Sequence, residues 1–287
     1  MSDLEWKLEK SNPSQPRIPP GVPEGGQWTQ ASGLGGGGKP MGNLRGRSGR
    51  SDPKLPRDRA GQAVLSGLAK GTPDGMRKLG LHGWSNPTLE DAKLVKDEIC
   101  TELTEKTGLP YNTVRTLVKT WAESSADNNV LSLQLQKAAS DEFGLKLRQS
   151  VRSRLKKNIE LMSDLSSHKS LENLNLTEKD ARGFLRAMYN NTQKRLADSG
   201  IKELTLYRGS ESFEKYEGQD IRLSGNPMQS WSVSNYEASL FGRAAVMRVP
   251  ATSIISSART GFGCLSEGEF VILVGNDSDH TATVLEA

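Results

Sequence analysis

Between residues 88 and 200 apolar side chains recur every three to four positions; after Gly200 they gather in short runs. Ala92, Val95, Ile99 and Leu103 predict a first helical face, with Thr88 placed to cap it and Gly108-Leu109-Pro110 to stop it. Val114, Leu117, Val118 and Trp121 predict a second, and Leu131, Leu135, Ala138 and Ala139 a third that ends near Phe143-Gly144. Val151, Leu155, Ile159 and Met162 form a fourth. Thr177 caps a fifth, which carries Phe184, Leu185, Met188 and Leu196 and closes at Gly200. Then ELTLYRG, AAVMRVP, SIISSA, EFVILVG and TATVLEA read as strands, separated by Gly, Pro, Asn and Ser clusters. Helices followed by strands predict an α+β fold rather than alternating α/β: a helical half packed on a mixed or antiparallel β core.

Residues 1–65 follow neither period. RIPPGVPEGG, GLGGGG and GNLRGRSGRSDPKLPRDR bury too little apolar surface to offset the entropy of ordering. A disordered Pro/Gly-rich arm is therefore expected ahead of one folded unit at 66–287, helical over 66–200 and strand-rich over 201–287. The mean hydropathy of -0.57 agrees with an unpacked portion. No apolar run approaches the ~18 residues of a membrane span, and the first residues lack the apolar core of a signal peptide. The expectation is a cytoplasmic chain with no membrane partner, deliverable into another cell by a route that ignores signal peptides. Two cysteines, Cys100 and Cys264, make no disulfide framework, and His82, His168 and His280 are too scattered for a metal site, so no metal is expected. A phosphate loop and a dinucleotide fingerprint are absent.

Charge divides the chain more sharply than its net +4 indicates. Residues 209–287 hold 5 basic and 10 acidic side chains, so the excess of base lies before them. LKLRQSVRSRLKKN places Arg148, Arg152 and Lys156 on one helical stripe, with Arg154 and Lys157 beside it. Such a stripe is ordinarily a wet helix face, and its sharper reading is a landing strip for nucleic acid.

Three features of the strand-rich third carry chemistry. LYRG ends a strand on Arg208-Gly209. QSWSVSNYEASLFG holds Ser230, Trp231 and Ser232, with Phe241 downstream. SEGEFVILVG puts Glu267 and Glu269 on one side of an extended backbone, at the mouth of an apolar run. Arginine, serine pair and E-x-E in this order resemble the mono-ADP-ribosyltransferase family, in its arginine–serine–glutamate branch of bacterial and phage toxins. The likeness covers the last ~85 residues well and the helical half loosely, and the family's Ser-Thr-Ser stands here as Ser-Trp-Ser. It implies NAD as co-substrate and a toxin or effector that moves ADP-ribose to a macromolecular acceptor, in this branch most often a protein arginine.

The resemblance also implies roles. Glu269 would be the catalytic acid on the nicotinamide ribose, where a carboxylate stabilises an oxocarbenium-like sugar. Arg208, with Gly209, would serve the NAD phosphates. Ser230 would hold Glu269 by a hydrogen bond, Trp231 and Ser232 would shape the strand, and Phe241 would lie against nicotinamide. Glu267 would orient the acceptor, and Phe262, on the Gly-rich loop 259–266, would touch it. A toxic transferase needs restraint in its producing cell, which makes an antitoxin or immunity protein an expected partner. Two other readings stand beside this one: the same transfer onto RNA or DNA, motivated by the basic stripe, and a non-enzymatic phage-associated structural module. The second is motivated by the arm and by RIPPGVPEGGQWT, which resembles a segment near the start of some phage-associated and toxin-like proteins.

Overall fold

The computed structural model describes residues 89–123, 129–163, 169–223, 225–265, 267–275 and 280–286. The arm expected at 1–65, residues 66–88 with the Thr88 cap, and the side chains of Ala92 and Met162 lie outside them. The five helical periods are five helices: α1 (Leu89–Thr107), α2 (Tyr111–Glu123), α3 (Val130–Glu142), α4 (Gln149–Ser163) and α5 (Glu178–Asp198). Thr177 closes a capping box at the head of α5: its hydroxyl accepts from the Asp180 N–H while the Asp180 carboxylate accepts from the Thr177 N–H.

Among the described residues seven strands follow: β1 (Glu203–Ser210), β2 (Asp220–Arg222), β3 (Met228–Ser232), β4 (Arg243–Pro250), β5 (Ile254–Ser257), β6 (Glu269–Leu273) and β7 (Thr281–Val284). A short helix, α6 (Asn235–Ser239), joins β3 to β4. They form one antiparallel sheet in the order β2-β7-β4-β1-β3-β6-β5. The fold is thus α+β, with helices and strands segregated along the chain.

The apolar run of EFVILVG is continuous because β6 is covered on both sides. Val271 and Leu273 join Met228 in the layer beneath the helices, with Leu103, Leu117, Trp121, Leu135, Phe184 and Met188. Phe270 and Ile272 turn the other way, to Leu204, Leu206, Trp231, Met247 and Val284. Strand β3 escaped the periodic reading because Gln229, Ser230 and Ser232 are polar, yet it lies centrally between β1 and β6. No helix among the described residues is long and apolar enough to cross a membrane.

Candidate functional site

Three central strands carry the expected residues side by side. Ser232 sits directly opposite Glu269, Ser230 opposite Val271, and Tyr207 opposite Ser232. Residues opposed in register share a face, so Ser230, Ser232 and Glu269 point together toward the helical layer. Glu269 is only 8% exposed there. Its Oε1 accepts from the Trp121 indole N–H at 3.2 Å, and its Oε2 accepts from the Cys264 backbone N–H at 2.7 Å. Neither partner is the expected Ser230, whose hydroxyl is buried without a hydrogen-bond partner among the described residues. Ser230 stands two pairs too far along the strand, opposite Val271.

Ser232 is the serine at the acid pair. Its hydroxyl donates to the Glu267 carbonyl at 2.5 Å and accepts from the Ser234 N–H at 2.9 Å, fixing the turn between the two acids. Gly268 makes that turn with φ of 60°, in the left-handed region that glycine tolerates. Glu267 remains half-buried, so the first acid of the pair reaches solvent while the second does not.

Arg208 belongs to the same three strands but not to the same face. Alternation along β1 turns it away from Tyr207 and toward the side of its register partner Ala245, which lies in the layer with Trp231. Its guanidinium donates to the Ser230 carbonyl at 3.3 Å and to Gln229 Oε1 at 3.5 Å, bracing β1 against β3. Burial draws its pKa down to about 10, while the charge of Glu269 pulls it back up. The guanidinium therefore stays charged at neutral pH and feels the carboxylate through the strand.

Gly209 and Phe241 form a separate contact: a Cβ at Gly209 would overlap the Ala238 carbonyl of α6 and crowd the Phe241 side chain at 3.2 Å. The glycine lets α6 lie on β1. Phe241 is half-buried beside it.

The loop before the acids departs furthest from expectation. The resemblance implies a Phe262 that touches the acceptor; instead Thr260, Gly261, Phe262 and Gly263 are buried. Phe262 stacks on Trp121 with ring centroids 5.1 Å apart and planes at 15°, and meets Phe184 at 5.9 Å. Gly261 is required by close packing, since a Cβ there would strike the Met188 thioether, and Gly263 by its φ of +125°. Close approach and left-handed backbone explain these glycines. Ser266 lies outside the described residues.

Two residues with site contacts were missed. Trp121 was read as core, which it is, but its indole N–H also needs an acceptor when buried and finds Glu269. Lys96 is buried, with its ammonium against the same loop. Burial lowers its pKa to about 8, against the raising effects of Cys264, Glu269 and Cys100. The charge of Glu269 favours the protonated form of two cations, the buried Lys96 and the half-buried Arg208. The sequence signal for Lys96 was its phase, on the stripe that continues through Ile99 and Leu103.

Two grooves elsewhere take in none of these residues. One of about 880 Å³ runs between α3, α4 and the start of α5, floored by Leu145, Leu155, Ile159 and Leu176. Its rim cation Lys137 is already paired with Asp141 and Glu178, and Lys156 with Glu160. The register of β3 and β6, rather than cavity size, locates the candidate site. Among the described residues no group of three or more His, Cys, Asp or Glu gathers as metal ligands; His82 and His168 lie outside them. No family model, curated protein or solved structure matches the chain.

Proposed function

We propose that the chain is a mono-ADP-ribosyltransferase of the toxin or effector kind, using NAD to modify a macromolecular acceptor, foremost a protein arginine. The supporting observation is the adjacency of β1, β3 and β6, which puts Arg208, Ser230, Ser232 and Glu269 on neighbouring strands of one sheet, with Glu267 in the turn just before β6. Orphaned polar capacity beside the carboxylate favours a ligand there: Ser230 Oγ is buried without a partner on the face that Glu269 shares.

In this reading NAD loses neutral nicotinamide as its glycosidic bond breaks, and the acceptor nitrogen bonds to the ribose carbon. Glu269, held through both oxygens, supplies a fixed negative charge to the sugar cation without reorganising. Each carboxylate oxygen has a second lone pair, so a ribose hydroxyl can join the Trp121 or Cys264 N–H rather than replace it. The half-buried Glu267 takes the proton that the acceptor loses. Ser232 keeps the two acids in fixed relation through the Glu267 carbonyl.

A nucleic-acid acceptor is the second reading, favoured by the exposed Arg152, Lys156 and Lys157 of α4 and Arg148 just before it. Labelled NAD incubated with the full chain and a cell extract tests all of this. Transfer of label is expected, with Glu269→Gln reducing it by about 10²–10³-fold, the scale of losing one preorganised electrostatic group. Protease or nuclease digestion then tells protein from nucleic acid. Absence of label, with Glu269→Gln indistinguishable from the parent and no NAD-dependent shift in melting temperature, would favour the non-enzymatic module.

A further inference from the structure

The acid pair is presented by a loop, and the loop is gathered around a single cation of α1, more than 160 residues earlier in the sequence. Lys96 of α1 is 5% exposed, and its Nζ donates to the carbonyls of Ala258 at 3.2 Å, Gly261 at 3.2 Å and Gly263 at 2.8 Å. An ammonium has three N–H donors, and three carbonyls from one six-residue stretch take them. Burying a charge is costly, and a Leu or Met at this phase of α1 would continue the apolar stripe at lower cost. What an apolar side chain cannot do is satisfy three carbonyls that the turn directs inward.

The same turn fixes Cys264. The Gly263 carbonyl bound by Lys96 belongs to the peptide whose N–H is that of Cys264, and this N–H donates to Glu269 Oε2 at 2.7 Å. One peptide unit therefore links the lysine to the carboxylate. Other ties hold the loop as well: the Ala258 N–H donates to the Glu269 carbonyl at 2.9 Å and the Glu269 N–H to the Cys264 carbonyl at 3.2 Å, while Thr192 donates to the Thr260 hydroxyl at 2.8 Å and Ser256 to the Phe262 carbonyl at 3.1 Å.

We propose that Lys96 is a positioning residue: by gathering the Ala258, Gly261 and Gly263 carbonyls it orients the 263–264 peptide that holds Glu269 in its reactive place. Lys96 touches no reacting atom and acts through that peptide. The catalytic half of this inference rests on the transferase reading; the geometric half does not.

Residue-resolved amide hydrogen exchange and NAD turnover, measured on the full chain with Lys96→Met and Lys96→Gln, test the two halves separately. Met removes every donor, whereas Gln keeps two on a shorter stem. Exchange at Gly261, Cys264 and Glu269 is expected to quicken at least tenfold in Lys96→Met and less in Lys96→Gln, with mid-helix amides of α5 unchanged. In an active parent, kcat should fall at least tenfold in Lys96→Met, with KM for NAD within threefold and partial recovery in Lys96→Gln. Unchanged loop exchange in both variants overturns the proposal, as does a loosened loop with kcat intact. A loosened loop in a chain whose parent never consumes NAD upholds the clasp and retires the NAD reading instead. Should Lys96→Met fail to fold, Lys96→Gln alone carries both measurements.

Discussion

Helices α1 and α4 each carry basic side chains among apolar residues at three-to-four spacing, and they put them to opposite use. On α4, Val151 and Leu155 face inward while Arg152, Lys156 and Lys157, with Arg148 just before the helix, stand in solvent. Lys156 pairs with Glu160 at 3.8 Å across two largely exposed side chains, a contact worth little in water. On α1 the cation lies on the inward stripe, so Lys96 is enclosed with Ile99, Cys100 and Leu103 and meets carbonyls rather than water. The same residue class gives a wet face in one helix and an internal strut in the other. Phase relative to the apolar stripe decides which.

The largest expected break in that contrast is Lys96→Met against Lys156→Met. Two effects compete at Lys96. Met recovers the cost of a buried charge, about 3 kcal/mol on the scale of the lowered pKa, but it leaves three enclosed carbonyls without donors at roughly 1–3 kcal/mol each. The orphaned carbonyls win, and a net loss of about 2 kcal/mol is expected in urea unfolding. Lys156→Met should stay within about 0.5 kcal/mol, as surface changes do. Equal effects at the two positions would mean that the Lys96 ammonium contributes no more than an exposed one.

The lysine contrast also marks where the sequence was legible. Helix stripes such as Leu131, Leu135 and Ala138 are visible because burial repeats with the turn of the helix, and the runs of β1, β4, β5, β6 and β7 because branched side chains crowd them. The order Arg208, Ser230–Ser232, Glu267–Glu269 was equally visible, since it needs residue types alone. Register was not. Only pairing reveals that Ser232, not Ser230, opposes Glu269, and a one-residue change of phase moves a side chain to the other face. That is also why Arg208 lies across the sheet from the acid rather than beside it. The partners Trp121 and Lys96 come from sequence separations of 148 and 162–167 residues, distances at which no local pattern speaks.

Titration sharpens the same comparison with a smaller effect. Below pH 8 both the folded and unfolded chain hold the Lys96 proton, so this group adds no pH dependence. Its folded pKa is lowered to about 8 from 10.5, so between these values the unfolded chain binds more protons and stability rises with pH. This rise should be missing from Lys96→Met. At the acid end, Glu102 has a carboxyl lowered to about 2: burial works against the shift, and the bonds from Lys106, Asn191 and Arg195 overcome it. Its contribution is present above pH 4.5 and lost as pH falls toward 2, about 1–2 kcal/mol after allowing for partial exposure. A Glu102→Gln chain with an unchanged acid limb would remove Glu102 as its cause.

The smallest stability effect belongs to α4 and is the one that best separates the acceptors. Replacing Arg148, Arg152, Lys156 and Lys157 together by Gln touches exposed side chains only, so the unfolding free energy should change by no more than about 0.5 kcal/mol per site. Arg154 is left out because it is half-buried and donates to Asn226 at 2.7 Å, next to the start of β3; its loss would disturb the fold. If nucleic acid is the acceptor, the fourfold variant should lose label at physiological salt, and the parent's labelling should fall steeply with added salt, because released counterions drive phosphate binding. If the acceptor is a protein arginine, the basic stripe is a solvated helix face, and labelling should survive both the substitutions and the salt. Loss of label in the variant with no salt dependence in the parent would fit neither, and would place the contribution of α4 in shape rather than charge.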